Sequence, residues 1–174
     1  AVRLQDVGIQ ALSIHGRTRS QMYKGQADWK LIKDIKRNPR INIPIFGNGD
    51  VDSVEKAAAW RLEYEVDGIM IGRASIGYPW IFREIKHFFK TGEYLPGPSI
   101  EERVEVCRVH FQKSIEWKGE KTGIFEMRRH YANYFKGIPN FKEYRMKLVS
   151  LDKVEHIHEV LDEISASFNV TVLI

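Results

Sequence analysis

Cysteine and long apolar segments are both scarce in this sequence of 174 residues. Its single cysteine excludes a disulfide framework and any metal site built from paired cysteines. No apolar run approaches the roughly 20 residues that cross a bilayer, and we find no charged and then apolar leader. We therefore expect a soluble protein with no membrane contact, located in the cytoplasm.

The positive charge of the chain is concentrated in one stretch. Hydrophobic residues make up 43% and charged residues 29%, which is ordinary for a globular protein, and the net charge is only +4. Residues 121–147 hold seven Lys or Arg against two acids, a local charge of +5, whereas residues 150–174 hold one lysine against five acids, a local charge of −4. The basic stretch is either an RNA contact or a solvated helix surface.

The first half of the chain alternates predicted strands with predicted helices. Short apolar runs rich in β-branched residues predict buried strands at 9–14, 43–46 and 68–71. Helical spacing predicts helices at 28–38 and 52–65, the second with Asp52 at its N-cap. Repeated βα units predict an α/β fold with a parallel sheet.

The second half has the period of packed helices. Three apolar stripes at spacings of three and four predict an all-α helical bundle over residues 99–174, with Ser99 and Glu102 as a capping box. Cys107 falls on the first stripe, as a small core residue. Glycines and prolines make residues 93–98 a linker, so that residues 1–92 form the βα domain.

Three strands cannot close a barrel of eight. The chain also begins at Ala1 without a methionine, in what reads as the end of a helix. We interpret residues 1–92 as the last three units of a TIM (β/α)8 barrel, and the whole sequence as a C-terminal fragment. Its open barrel edge would favour self-association.

Two turns at successive strand ends predict a phosphate site. Asn48, Gly49 and Asp50 follow the second strand and precede a helix, and Gly72 and Arg73 follow the third. Glycine lets backbone N–H groups approach an anion, a helix N-terminus attracts one, and arginine donates two hydrogen bonds to it. The alternative is a tight turn beside a solvated arginine.

A third group of candidates follows the first strand. His15 lies where barrel enzymes build their active sites and could contact a cofactor or substrate, and Arg17 and Arg19 could hold phosphates. The alternative is a strand-end histidine beside a solvated basic loop. In the basic stretch, Arg129, Asn133 and Lys136 share a predicted helix face that Arg128 flanks, and such a face can follow phosphates without reading bases.

These motifs, in this order and spacing, resemble the bacterial type of the tRNA-dihydrouridine synthase family. The resemblance covers nearly the whole chain and is carried by HGRTR at 15–19, YKGQADW at 23–29, GNGD at 47–50, GIMIGR at 68–73, GYPWIF at 77–82 and the segment from Arg128 to Arg145.

The resemblance implies a flavoprotein that binds FMN on a TIM barrel, is recharged by NADPH and reduces uridine in tRNA to 5,6-dihydrouridine. It matches Asn48, Gly49, Asp50, Gly72 and Arg73 to the FMN phosphate end and His15 to a flavin contact. It implies that the helical domain helps to grip tRNA. We accordingly expect the RNA contacts to be Arg17, Arg19, Arg128, Arg129, Lys136 and Arg145.

The chain departs from the family pattern at the reaction centre. The family's catalytic cysteine belongs to an earlier barrel loop, upstream of Ala1, so we expect no catalytic residue here and no activity from the fragment alone. His156 and His158 face different directions, and we expect no metal site. Two other functions stay open: a non-catalytic RNA-binding module, and a different phosphate-binding TIM-barrel enzyme.

Overall fold

A computed structural model describes residues 1–168. Within them the chain forms three strands and eight α-helices, mixed α/β as expected. The elements are α1 Val2–Asp6, β1 Leu12–His15, α2 Lys30–Lys36, β2 Ile45–Asn48, α3 Val54–Tyr64, β3 Gly68–Met70, a short 3-10 helix Arg73–Ser75, α4 Ile81–Thr91, α5 Ile100–Lys118, α6 Glu120–Tyr134, α7 Lys142–Ser150 and α8 Val154–Phe168.

The three strands form one parallel sheet in the order β1-β2-β3. The register pairs His15 with Asn48 and Asn48 with Met70, so the carboxyl ends of all three strands lie side by side. The predicted parallel βα arrangement is confirmed. Among the described residues, β1 and β3 each leave one edge unpaired.

The strand boundaries differ from the sequence prediction at both ends of the first two strands, and the third strand ends at Met70 rather than at residue 71. The first strand starts at Leu12 rather than at residue 9, after the left-handed turn at Gly8, where φ is +94°. The second strand starts at Ile45 rather than at residue 43, because Pro44 has no N–H to donate to a neighbouring strand. At their carboxyl ends both strands run further than predicted, to His15 and Asn48, and these two residues pair within the sheet.

The N-cap of α3 also differs from the prediction. Ser53, not Asp52, precedes the helix, and its hydroxyl accepts a hydrogen bond from the backbone N–H of Lys56 at 3.2 Å. The serine has extended backbone angles that suit a cap. The predicted cap of α5 is confirmed, since the Ser99 hydroxyl accepts the N–H of Glu102 at 3.1 Å.

By its internal contacts the chain divides into two compact units. Unit 1 contains residues 1–75 and 81–95, and unit 2 contains residues 76–80 and 96–174. In unit 2 the three predicted stripes are buried together between α5, α6, α7 and α8. Cys107 is fully buried there, which raises the pKa of its thiol, and it is a core residue as predicted. No helix within residues 1–168 is long and apolar enough to cross a membrane.

Candidate anion-binding site

A cleft of about 710 Å³ opens at the carboxyl ends of the three strands in unit 1. The sheet register explains its position, because parallel strands end at one edge and their loops meet there. The six residues predicted to bind the cofactor all line this cleft: His15, Asn48, Gly49, Asp50, Gly72 and Arg73.

Trp29 packs against the buried side of the turn after β2. Its ring is 1% exposed, and its indole Nε1 donates a hydrogen bond of 2.9 Å to the carbonyl of Gly49. A Cβ at Gly47 would lie 2.2 Å from this ring, so the glycine there is required by packing on the buried side. The same tryptophan therefore fixes both the last residues of the strand and the turn that follows.

The turn itself uses left-handed backbone angles. Gly49 has φ of +124° and Asp50 has φ of +59°. A side chain at Gly49 would also meet the Cβ of Ala27 at 2.7 Å, so only glycine fits. Gly72 is different, because among the described residues no heavy atom other than those of Gly72 and its two chain neighbours lies within 4 Å of the position of a Cβ there. Since Gly72 lines the cleft, a side chain would project into open space that a ligand could fill.

Asp50 is the centre of the charge network. Its carboxylate accepts hydrogen bonds from Arg17 Nη2 at 2.6 Å, from the backbone N–H of Ala27 at 2.7 Å and from Arg73 Nη2 at 3.0 Å. Burial raises the pKa of Asp50, but the hydrogen bonds from Arg17 and Ala27 and the two positive charges outweigh it, so the pKa lies below its ordinary value. Two arginines around one carboxylate leave the cluster with a net positive charge.

The two arginines differ sharply in exposure. The side chain of Arg17 is 4% exposed and also donates to the carbonyls of Lys24 and Gly25, at 3.3 and 2.6 Å. The side chain of Arg73 is 56% exposed, and its guanidinium lies 4.8 Å from the ring centre of Tyr23. Arg17 therefore fixes the loop after β1 and the position of Asp50, whereas Arg73 faces the cleft.

His15 is held in one orientation. Its Nδ1 accepts the backbone N–H of Arg17 at 3.0 Å, so the neutral ring carries its proton on Nε2. Because His15 lines the cleft, this imidazole can supply one N–H donor to a ligand.

Sequence reasoning missed part of the cleft lining. Tyr23, Lys56, Trp60 and Met70 also line it, and the Lys56 ammonium lies 4.9 Å from the ring centre of Trp60. Lys56 and Trp60 are four residues apart on α3, so they share a face of that helix. The sequence did contain a signal for these two residues, because Lys56 and Trp60 have helical spacing on the helix that follows the turn at Asn48.

The candidate RNA residues lie in varied environments. Arg19 is exposed, unlike Arg17. In unit 2, the Nη2 of Arg128 donates a hydrogen bond to the carbonyl of Leu151 at 3.1 Å, and its Nε is buried. The side chain of Arg129 is 68% exposed and lies beside Glu126.

Two further candidates, Lys136 and Arg145, are also exposed. Lys136 lies beyond the end of α6 at Tyr134, so the predicted helix face does not extend to it.

We expect acid to weaken unit 1 through Asp50. A carboxyl whose pKa is lowered by folding contributes stability above its unfolded pKa, and that contribution is lost as the pH falls through the folded pKa. The check is urea unfolding at several pH values between about 5 and 3, compared between the native protein and Asp50→Asn. The free energy of unfolding of Asp50→Asn should depend less steeply on pH than that of the native protein. Equal pH dependence of the two proteins would show that Asp50 does not make this contribution.

A parallel βα sheet with a positively charged cleft at its carboxyl edge is an arrangement that phosphate-binding βα proteins share. The family model "Dihydrouridine synthase (Dus)" matches residues 1–169. The chain belongs to the dihydrouridine synthase family.

Curated relatives with this family name are similar over most of the chain. A probable tRNA-dihydrouridine synthase 1 of Synechocystis is 42% identical over 163 residues, which cover 94% of this chain and 45% of that protein. The tRNA-dihydrouridine synthase B of Pseudomonas putida is 40% identical over 151 residues, 87% of this chain and 44% of that protein. A probable tRNA-dihydrouridine synthase of Rickettsia bellii is 41% identical over 138 residues, 79% and 42% of the two chains. The chain spans less than half the length of these relatives.

Proposed function

We propose that this chain is the C-terminal part of an FMN-dependent tRNA-dihydrouridine synthase that reduces uridine to 5,6-dihydrouridine in tRNA with NADPH. The relatives matched along the chain carry that enzyme name, and each is about twice as long as the matched region. In this proposal the sheet is the end of a TIM barrel, unit 2 contributes to tRNA binding, and the protein works in the cytoplasm. The unpaired edges of β1 and β3 pair with the rest of the barrel, or with another copy in the isolated fragment.

The observation that carries the proposal is the meeting of the two predicted turns in one cleft. Asn48, Gly49 and Asp50 come together with Gly72 and Arg73 although they are more than 20 residues apart in sequence. The cleft volume of about 710 Å³ falls within the range of roughly 300–1,000 Å³ that is typical of small-molecule and cofactor sites.

The residues present fit a flavin phosphate. Arg73 supplies a partly exposed guanidinium, Gly72 leaves open space where a side chain would stand, and His15 offers an oriented N–H. Arg17 and Asp50 hold Arg73 and the turn in place, at the centre of a cluster with net positive charge. These groups would hold the phosphate and orient the flavin, and bound FMN would supply the hydride chemistry.

The chain contributes binding and orientation rather than the proton donor. Its one cysteine, Cys107, is buried in unit 2. Burial raises the pKa of the thiol and so disfavours the thiolate, which is the reactive form. In this proposal the catalytic cysteine lies in the part of the protein that precedes Ala1. Of the RNA candidates, Arg19, Arg129, Lys136 and Arg145 are exposed and suited to phosphate contacts.

The test is activity of the complete protein. Purified with its flavin, it should be yellow and, with NADPH, should convert uridine to dihydrouridine in a tRNA transcript that carries no modifications. Nucleoside mass spectrometry after digestion measures the product. The proposal is wrong if the complete protein binds no FMN, or if FMN-loaded protein yields no dihydrouridine from any tRNA of the host.

A further inference from the structure

A second cleft lies between α5 and α6, entirely within unit 2. It has a volume of about 190 Å³, below that of ordinary cofactor pockets, so it has room for a group such as a phosphate but not for a whole nucleotide. The helices approach closely because Gly123 has no side chain: a Cβ there would lie 2.8 Å from the backbone N of Ile115. We call this the α5–α6 cleft. The residues that matter in it are His110, Trp117, Lys118, Glu126, Arg129 and His130.

The charges of the α5–α6 cleft are positive on balance. Lys118 and Arg129 both pair with the single carboxylate of Glu126, the arginine at 3.7 Å. Lys113 also lines the cleft and pairs with Glu116 at 2.7 Å. With Glu116 counted, three cations stand against two acids, and the surplus lies at Lys118 and Arg129, which share the one carboxylate of Glu126. An anion is therefore the complementary ligand.

Two histidines lie side by side in this setting. The ring centres of His110 and His130 are 4.9 Å apart, His110 Nδ1 is 3.0 Å from the Tyr134 hydroxyl, and His130 Nε2 accepts from Arg129 Nε at 3.3 Å. Burial lowers the pKa of both imidazoles. The positive charge of Lys118 lowers the pKa of His110 further. His110 and Arg129 lower the pKa of His130 further, and the negative charge of Glu126 only partly opposes them. All these groups belong to α5 or α6. A bound anion would favour the protonated rings and so raise both pKa values.

A large aromatic ring lies at the edge of the same cleft. Trp117 is 83% exposed, although tryptophan is among the side chains that burial stabilises most. The ammonium of Lys118 lies 5.0 Å from its ring centre. An exposed indole beside cations is the combination that binds an unpaired nucleobase together with its phosphate.

We propose that the α5–α6 cleft binds one backbone phosphate of tRNA, with an unpaired base of the same strand stacked on Trp117. The choice of tRNA as the ligand rests on the proposed function. Of the cleft residues, Arg129 and His130 fall in the segment from Arg128 to Arg145 that resembles the family, and the others lie outside the sequence motifs. An anionic small molecule would use the cations but has no need of the exposed indole. Because the phosphate favours protonated His110 and His130, binding takes up protons and tightens as the pH falls.

The test uses the complete FMN-loaded protein and an unmodified tRNA transcript. Binding should quench tryptophan fluorescence, and this quenching should be absent in Trp117→Ala, which should also bind tRNA about tenfold more weakly. Binding should strengthen as the pH is lowered from about 7.5 to 5.5. For each proton that is fully taken up on binding, the affinity should rise about tenfold per pH unit. Replacing both histidines by asparagine should flatten that dependence. Lys153→Ala removes an exposed lysine directly before α8, outside the α5–α6 cleft, and this control for a general loss of positive charge should bind like the native protein.

The outcomes separate this inference from the proposed function. If the native protein reduces tRNA but Trp117→Ala binds with unchanged affinity and quenching, the α5–α6 cleft is not the contact and only this inference fails. Unchanged pH dependence in the double histidine variant would refute the protonation step. If the native protein neither binds nor reduces tRNA, both proposals fail.

Discussion

Replacing Trp29 by alanine is expected to lower the free energy of unfolding of unit 1 by about 3–5 kcal/mol. The ring is 1% exposed and packs within 4.8 Å of Trp60 and 5.4 Å of Tyr64, between ring centres. The substitution also removes the hydrogen bond to the Gly49 carbonyl. Because the surroundings of a deleted core side chain relax only partially, we expect a cavity beneath the turn that carries Asp50. Urea unfolding followed by circular dichroism measures the loss.

The chain contains its own control for this experiment. Trp117→Ala is the same substitution at a site that is 83% exposed, and its free energy of unfolding should change by no more than about 0.5 kcal/mol. Gly47→Ala tests the contact from the opposite side, because the added methyl would meet the Trp29 ring at 2.2 Å, and it should cost about 1–3 kcal/mol. Equal stability of Trp29→Ala and Trp117→Ala would show that Trp29 does not support the turn.

Arg73→Ala is expected to weaken FMN binding by the complete protein about 10- to 100-fold, as the loss of a charge-assisted phosphate contact. It should leave riboflavin affinity nearly unchanged, because riboflavin has no phosphate. The ratio of the two affinities therefore separates a phosphate contact from a general disturbance of the cleft. Isothermal titration of the flavin-free protein with each flavin provides the ratio.

Two variants sharpen this result. Arg61→Ala removes an arginine on α3 that stacks on Phe89 at 4.8 Å and does not line the cleft, and it should leave both flavin affinities unchanged. Gly72→Ala should keep the stability of the protein, since within residues 1–168 only Gly72 and its chain neighbours lie within 4 Å of the new methyl, yet it should weaken FMN binding by occupying the cleft. An Arg73→Ala protein with an unchanged preference for FMN over riboflavin would refute the phosphate assignment.

Several parts of the fold were accessible from the sequence because they depend on local patterns. Apolar periodicity located the strands and helices. The rule that parallel strands end at one edge predicted that Asn48 and Gly72 lie close together, and both line the cleft. The boundaries were less accurate. The second strand begins after Pro44, not before it. Ser53 rather than Asp52 caps α3, because neighbouring residues compete for a cap position with nearly equal free energies.

The sequence by itself determined the family, the parallel βα pattern and six of the residues that line the cleft, because glycine turns and strand-end polar groups follow short-range rules. Only the tertiary structure decided how those residues are used. It paired Arg17 and Arg73 with one aspartate and brought the Trp29 ring against Gly47. It also brought His110 within reach of His130, 20 residues away. Such pairings depend on packing between distant segments, and no local pattern specifies them.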